Sequence, residues 1–184
     1  VYTLALRGLH DRAMNASNDM GDRKDMLQEA LMAQRQMLID AIGKPGEEIP
    51  QAFTPYKEVL DVYDEGLELP DDVTIIWPDD NYGYMKRLSS PKEQKRSGRS
   101  GVYYHSSYLG KPHDHLWMNT ISPTLMYEEL RKAYDATADR IWLLNAGDIK
   151  SCEFAVDYFL TMAFDIDSFN FERAANYRTE RLCG

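Results

Sequence analysis

Cysteine is nearly absent, with only Cys152 and Cys183 in 184 residues. That excludes a disulfide framework and a Cys-x-x-Cys metal knuckle, and Cys152, inside a helical pattern, reads as a small buried hydrophobe. No apolar run reaches the roughly 18 residues of a membrane-spanning helix. Basic runs stop at the pairs Lys86-Arg87 and Lys95-Arg96, and the net charge is -9. Nucleic acid and anionic membrane are therefore poor partners, and an acidic ligand would need a local basic pocket. Gly-rich phosphate loops are missing. Ser106 and Ser107 lack a nucleophile-elbow context, which speaks against serine hydrolysis. There is no signal peptide, no initiator Met before Val1-Tyr2-Thr3-Leu4-Ala5-Leu6, and no terminating element around Arg181–Gly184. The chain thus reads as an internal fragment of a longer protein, whose compartment its own N-terminus does not give.

What is present is an ordinary globular composition, 43% hydrophobic and 28% charged, enough for one sizeable core. Val73-Thr74-Ile75-Ile76-Trp77 reads as a buried strand. Pro78 ends its pairing, and Asp79-Asp80-Asn81 follow at its tip. Three more strands are expected over Val1–Leu6, Gly101–His105 and Arg140–Asn145. A helix is expected over Arg23–Ile42, with Met26, Leu27, Ala30, Leu31, Met37, Leu38, Ala41 and Ile42 as one buried stripe. A short helical piece surrounds Tyr56–Leu60. Ser90-Pro91 opens a short charged helix, Ser122-Pro123 caps another, and a fifth helical pattern covers Ser151–Phe164.

Four strands alternating with helices imply an α/β fold with a parallel sheet. A (β/α)8 TIM barrel needs about 200 to 250 residues, so about four β/α units make a partial barrel. The expected organisation is the second half of such a domain over 1–165, with the start of a following helical segment over 166–184. Strand ends carry Arg7 and Asp11, Asp79 and Asn81, His105, and Asn145, on the rim where barrel enzymes place their chemistry.

Each of these also has a plainer reading. Asp79-Asp80-Asn81 is as compatible with a capping turn as with a site, although four polar-tipped strands in succession favour the site. Arg7 and Asp11 could be a surface ion pair, yet an Arg directly after a strand suits a carboxylate or phosphate ligand. His105 fits a hydrogen-bonded core histidine or a ligand-binding group equally well. Glu58, alone on its turn, reads as solvent-exposed. His113-Asp114-His115 fits no standard zinc spacing, so neither a metal nor any other cofactor is expected. Trp77, Trp117 and Trp142 read as packing, with Trp117 able to stack on a sugar.

The successive segments Val73–Gly83, Ser100–Tyr108, Gly110–Thr120 and Arg140–Lys150 strongly resemble glycoside hydrolase family 115, the xylan α-1,2-glucuronidases. The likeness runs from the strand before Arg7 to about Asp165. It implies a large, multidomain, periplasmic or secreted enzyme that removes glucuronic acid, or its 4-O-methyl ether, from glucuronoxylan with inversion. By the resemblance, Asp11 and Glu58 (of Pro55-Tyr56-Lys57-Glu58) are the carboxyl pair, with acid and base not assigned between them and a partner from the other half of the barrel left open. Arg7, Asp79, Asn81, His105 and Asn145 bind substrate. Inversion needs such a pair about 6.5–9.5 Å apart. One departure stands out. The family commonly reads Arg-Gly-Asp-Gly-Asp where this chain has Arg7-Gly8-Leu9-His10-Asp11. That change, with the truncation, leaves open a non-catalytic carbohydrate-binding or scaffold role. The expected partners are the polysaccharide and the remaining domains of the parent chain. The isolated 184 residues are expected to be inactive or poorly folded, because half a barrel leaves open sheet edges.

Overall fold

The computed structural model describes residues 1–8, 12–14, 19–108 and 119–183, without the side chains of 151 and 181–183. Among them, five strands lie in chain order in one sheet: β1 (Tyr2–Leu4), β2 (Gln51–Phe53), β3 (Thr74–Pro78), β4 (Ser100–His105) and β5 (Trp142–Asn145). The pairs β1–β2, β2–β3 and β4–β5 are parallel. The helices are α1 (Met20–Ile42), α2 (Glu58–Asp64), α3 (Pro123–Asp135), α4 (Glu153–Phe164) and α5 (Phe171–Cys183). Parallel strands in sequential order, with α1, α2 and α3 in three of the four connections, are the topology of a partial (β/α)8 barrel, as expected.

The sequence reading counted four strands, and β2 is the addition. It holds three residues between Pro50 and Pro55, too few to show a period, and all three are buried. The α1 stripe also contracts. Only Leu27 and Leu31 are buried there, while Met26, Met37 and Ile42 are exposed. The charged stretch after Pro91 forms a single 3-10 turn, Glu93–Lys95, rather than a helix.

The chain divides into two compact units. The first comprises 1–76 and 91–100. Leu4, Leu27, Leu31, Phe53, Val59, Val62 and Val73 form its core, which packs one face of α1 and α2 onto the strands. Two guanidinium groups brace it. Arg35 forks onto both oxygens of Asp72 at 2.8 and 2.9 Å. Arg96 donates to the carbonyls of Leu69, Pro70 and Val73, and so ties down the irregular entry to β3.

The second unit comprises 77–90 and 101–184, and its interior is aromatic. Tyr104 stacks on Phe159, which also meets Trp142. Tyr158, Phe169 and Tyr177 pack edge to face and face to face, with centroids 5.0 to 5.6 Å apart. Such ring pairs add about 0.5–1.5 kcal/mol each beyond the area they bury. The α3 cap is the expected one: Ser122 Oγ accepts from the Leu125 N–H at 3.2 Å, with Pro123 in the first turn. Cys152 is buried, as expected. No helix among the described residues is long and apolar enough to cross a membrane.

Candidate active site

In the first unit, β1 runs into Arg7, and Glu58 opens α2. Arg7 Nε donates to Glu58 Oε1 at 3.1 Å and Nη2 to Oε2 at 3.2 Å. Both side chains keep about a fifth of their surface open, at 20% and 21%. The planar fork therefore fixes the carboxylate's orientation without burying it. The guanidinium also lies 5.6 Å from the centre of the Tyr56 ring, within cation–π range. Lys57, directly before Glu58, has φ 53° and ψ -124°, a conformation that an L side chain holds only when its surroundings impose it. The plain expectation for Glu58 was exposure on a solvated turn. Instead it is half-buried and held by a partner 51 residues away. Asp11 lies outside the described residues, as do Leu9, His10, His113, Asp114, His115 and Trp117. Gly8 and Arg12 are hydrogen-bonded through the Gly8 N–H and the Arg12 carbonyl at 2.9 Å.

In the second unit, the polar tips of β3, β4 and β5 make one connected cluster. Asp79 lies at its base with a side chain of zero exposure. Its Oδ1 is 2.6 Å from His105 Nδ1. Backbone N–H groups of Asn81, Gly83 and His105 also donate to the same carboxylate. His105 is 1% exposed. Its ring centre is 4.6 Å from that of Tyr103 and 5.8 Å from that of Tyr108, the latter contact edge-on. Asn145 donates through Nδ2 to the Tyr103 hydroxyl at 2.9 Å. Asn81, Tyr82, Tyr103, Tyr108 and Asn145 are all half-buried. The cluster thus has an interior of Asp79 and His105 and an outer layer of amides and phenols.

The strand register explains how these groups meet. Tyr103 pairs with Leu143 and His105 with Asn145, so the alternation of the two strands brings Tyr103, His105, Leu143 and Asn145 to one face. Tyr104 takes the other face and is fully buried. Its hydroxyl donates to the Gly83 carbonyl at 3.0 Å. Burial first, then the negative charges of Asp79 and Glu129, push this phenol up, which keeps it a neutral donor.

The sequence profile of Glycosyl hydrolase family 115 matches residues 1–183. The chain belongs to this family. The solved structure of the family GH115 4-O-methyl-α-glucuronidase BtGH115A, described as specific for decorated arabinogalactans, is similar with a TM-score of 0.91 and 43% identity. The match covers 98% of this chain and 24% of that one, so the chain spans about a quarter of that enzyme's length. No curated protein sequence matches.

Within this GH115 chain, the structure brings Arg7 to Glu58, and Asp79 to Asn81 and His105. It joins Asn145 to the last group through Tyr103. Sequence reasoning passed over Tyr103 and Tyr108. Tyr103 was within reach, because it sits two residues before His105 on a strand and so shares its face. Tyr56 was quoted only as part of the turn around Glu58, and the cation–π contact was not legible there. Among the described residues no group of three or more His, Cys, Asp or Glu could hold a metal ion. Arg7→Lys tests the fork directly. A lysine keeps the charge but offers no planar pair of donors, so under the function proposed below we expect about a 10-fold or larger loss in kcat/KM, read from initial rates.

Proposed function

We propose that these 184 residues are part of the catalytic domain of an α-glucuronidase. The parent enzyme removes α-1,2-linked glucuronic acid or 4-O-methylglucuronic acid from xylan, with inversion. The observation that carries the reading is the family match over residues 1–183 together with a partly open carboxylate set by a guanidinium fork. A glycosidase must protonate the leaving oxygen and deliver water to the anomeric carbon. Two carboxyl groups about 6.5–9.5 Å apart accomplish both in one displacement. Glu58 and Asp11 take these roles. Arg7 receives the uronic carboxylate, Asn81 and Asn145 bind sugar hydroxyls, and His105, buried at 1% exposure, serves the site through its contacts with Tyr103 and Tyr108. The side chains themselves supply this chemistry, with no cofactor. The enzyme works with the remaining domains of its parent chain, in the periplasm or outside the cell, where its polysaccharide is found.

The test is incubation of the full-length protein with glucuronoxylan. Release of the uronic acid, first appearing as the β-anomer by NMR, is expected. No release by a folded, full-length protein would overturn the reading, and initial α-anomer would overturn inversion. The specificity of BtGH115A for decorated arabinogalactans favours a second substrate, so arabinogalactan carrying the same decoration belongs in the same assay. The altered Leu9-His10 loop supports the alternative of carbohydrate binding without catalysis, which would appear as retention on glucuronoxylan with no turnover.

A further inference from the structure

We infer that Asp79 does not touch the sugar but is a positioning residue, acting through the His105 ring and the Asn81 turn. This rests on the glucuronidase reading above and deepens it. The Asp79 side chain has no exposed surface, so a ligand cannot reach it without displacing the groups around it. Three backbone N–H groups and one ring nitrogen converge on its two oxygens. Oδ1 accepts from the Asn81 backbone at 3.1 Å and faces His105 Nδ1 at 2.6 Å. Oδ2 accepts from the Gly83 and His105 backbones at 3.1 and 3.2 Å.

A carboxylate that accepts three backbone N–H bonds is an acceptor at both oxygens. The ring nitrogen facing it must then bring the hydrogen, so Nδ1 carries the proton. Nε2, on the opposite side of the ring, becomes the nitrogen that can take or give a proton elsewhere. The same carboxylate holds the turn in which Asn81 has φ +72° and Gly83 φ +91°, and so sets how the Asn81 side chain is presented. A carboxylate that only capped the turn would need the local N–H groups alone. The fourth donor is a side chain 26 residues away, at the shortest distance of the four. That is the arrangement by which a buried acid selects a histidine's tautomer and orientation.

The experiment uses the full-length protein with 15N-labelled histidine. Long-range proton–nitrogen spectra read the tautomer, and His105 is assigned by the signal lost in His105→Gln. In the wild type, Nδ1 should be protonated. In Asp79→Asn, either placement of the amide sets its NH2 against backbone N–H groups. The conflict is least beside a ring nitrogen that can accept, so the tautomer should change to Nε2–H. Uronic acid release should fall by about 10- to 100-fold, the usual cost of losing a group that orients a functional histidine. The double variant Asp79→Asn/His105→Gln should lose less than the product of the two single losses, since the part of the Asp79 effect that runs through His105 is already gone while the part through the Asn81 turn remains. A wild-type spectrum with Nδ1 unprotonated would overturn the inference, as would multiplying losses in the double variant or full activity in Asp79→Asn. If Asp79→Asn does not fold, the wild-type spectrum still decides. If the wild type releases no uronic acid, the glucuronidase reading fails, and the spectra judge the positioning role by themselves.

Discussion

Glu58→Gln in the full-length protein is expected to lower kcat for uronic acid release by about 10²- to 10⁴-fold, the range that one positioned acid or base contributes. The substitution keeps the shape of the side chain and removes its ability to exchange a proton. Arg7 would still find one oxygen, while the new NH2 would face the rest of the guanidinium. Because both side chains are only about one-fifth open, the loss of the charged pair should cost about 1–3 kcal/mol. Thermal unfolding should therefore shift by a few degrees and leave the protein folded at the assay temperature, while activity collapses. A loss of activity accompanied by unfolding would instead mark the pair as a structural brace.

The same variant reads which half of the reaction Glu58 serves. A nitrophenyl glucuronide has a leaving group that departs without protonation. If Glu58 is the acid, Glu58→Gln should recover much of its rate on that substrate. If Glu58 is the base, both substrates should suffer alike, because each still needs an activated water. Asp11→Asn should then give the opposite pattern. Undiminished xylan cleavage in both variants would overturn the assignment of the pair.

The sequence carried the strand tips well, and for a physical reason. Val73–Trp77 and Gly101–His105 are β-branched and aromatic runs that end abruptly in polar residues, and both are strands in the structure. Such runs are legible because burial on both faces of a parallel sheet leaves little room for other residue types. Two kinds of feature were not legible. β2 is a three-residue strand whose place is set by its neighbours rather than by a pattern of its own. The Arg7–Glu58 fork joins residues 51 apart, and nothing local to Glu58 announces a partner. The α1 stripe failed in the opposite direction. Methionine fits an apolar period but tolerates exposure, and Met26 and Met37 lie open. The direction of Asp79 was also hidden, since a strand-end aspartate reads the same whether it points into a site or beneath it.

That last point gives Gly83→Ala its expected effect. Gly83 has φ +91°, and a Cβ there would sit 2.8 Å from the Tyr104 hydroxyl and 3.1 Å from two carbons of Ile121. Overpacking of this kind costs about 1–3 kcal/mol, and an alanine held at that φ adds about 1 kcal/mol or more. The turn can escape only by moving the Gly83 N–H away from Asp79 Oδ2 and its carbonyl away from Tyr104. Loss of the first contact leaves Oδ2 held by the His105 backbone N–H and loosens the carboxylate that faces the His105 ring. We therefore expect lower thermal stability and, separately, weaker uronic acid release, with the His105 tautomer signal broadened or split. Tyr104→Phe removes the closest atom of the clash together with one hydrogen bond, so alone it should cost about 1 kcal/mol. Combined with Gly83→Ala, it should restore part of the stability lost, because the two changes meet at one contact. The backbone strain and the Ile121 contacts would persist, so recovery should be incomplete. Simple addition of the two losses in thermal unfolding would show that the Tyr104 hydroxyl is not what Gly83 makes room for.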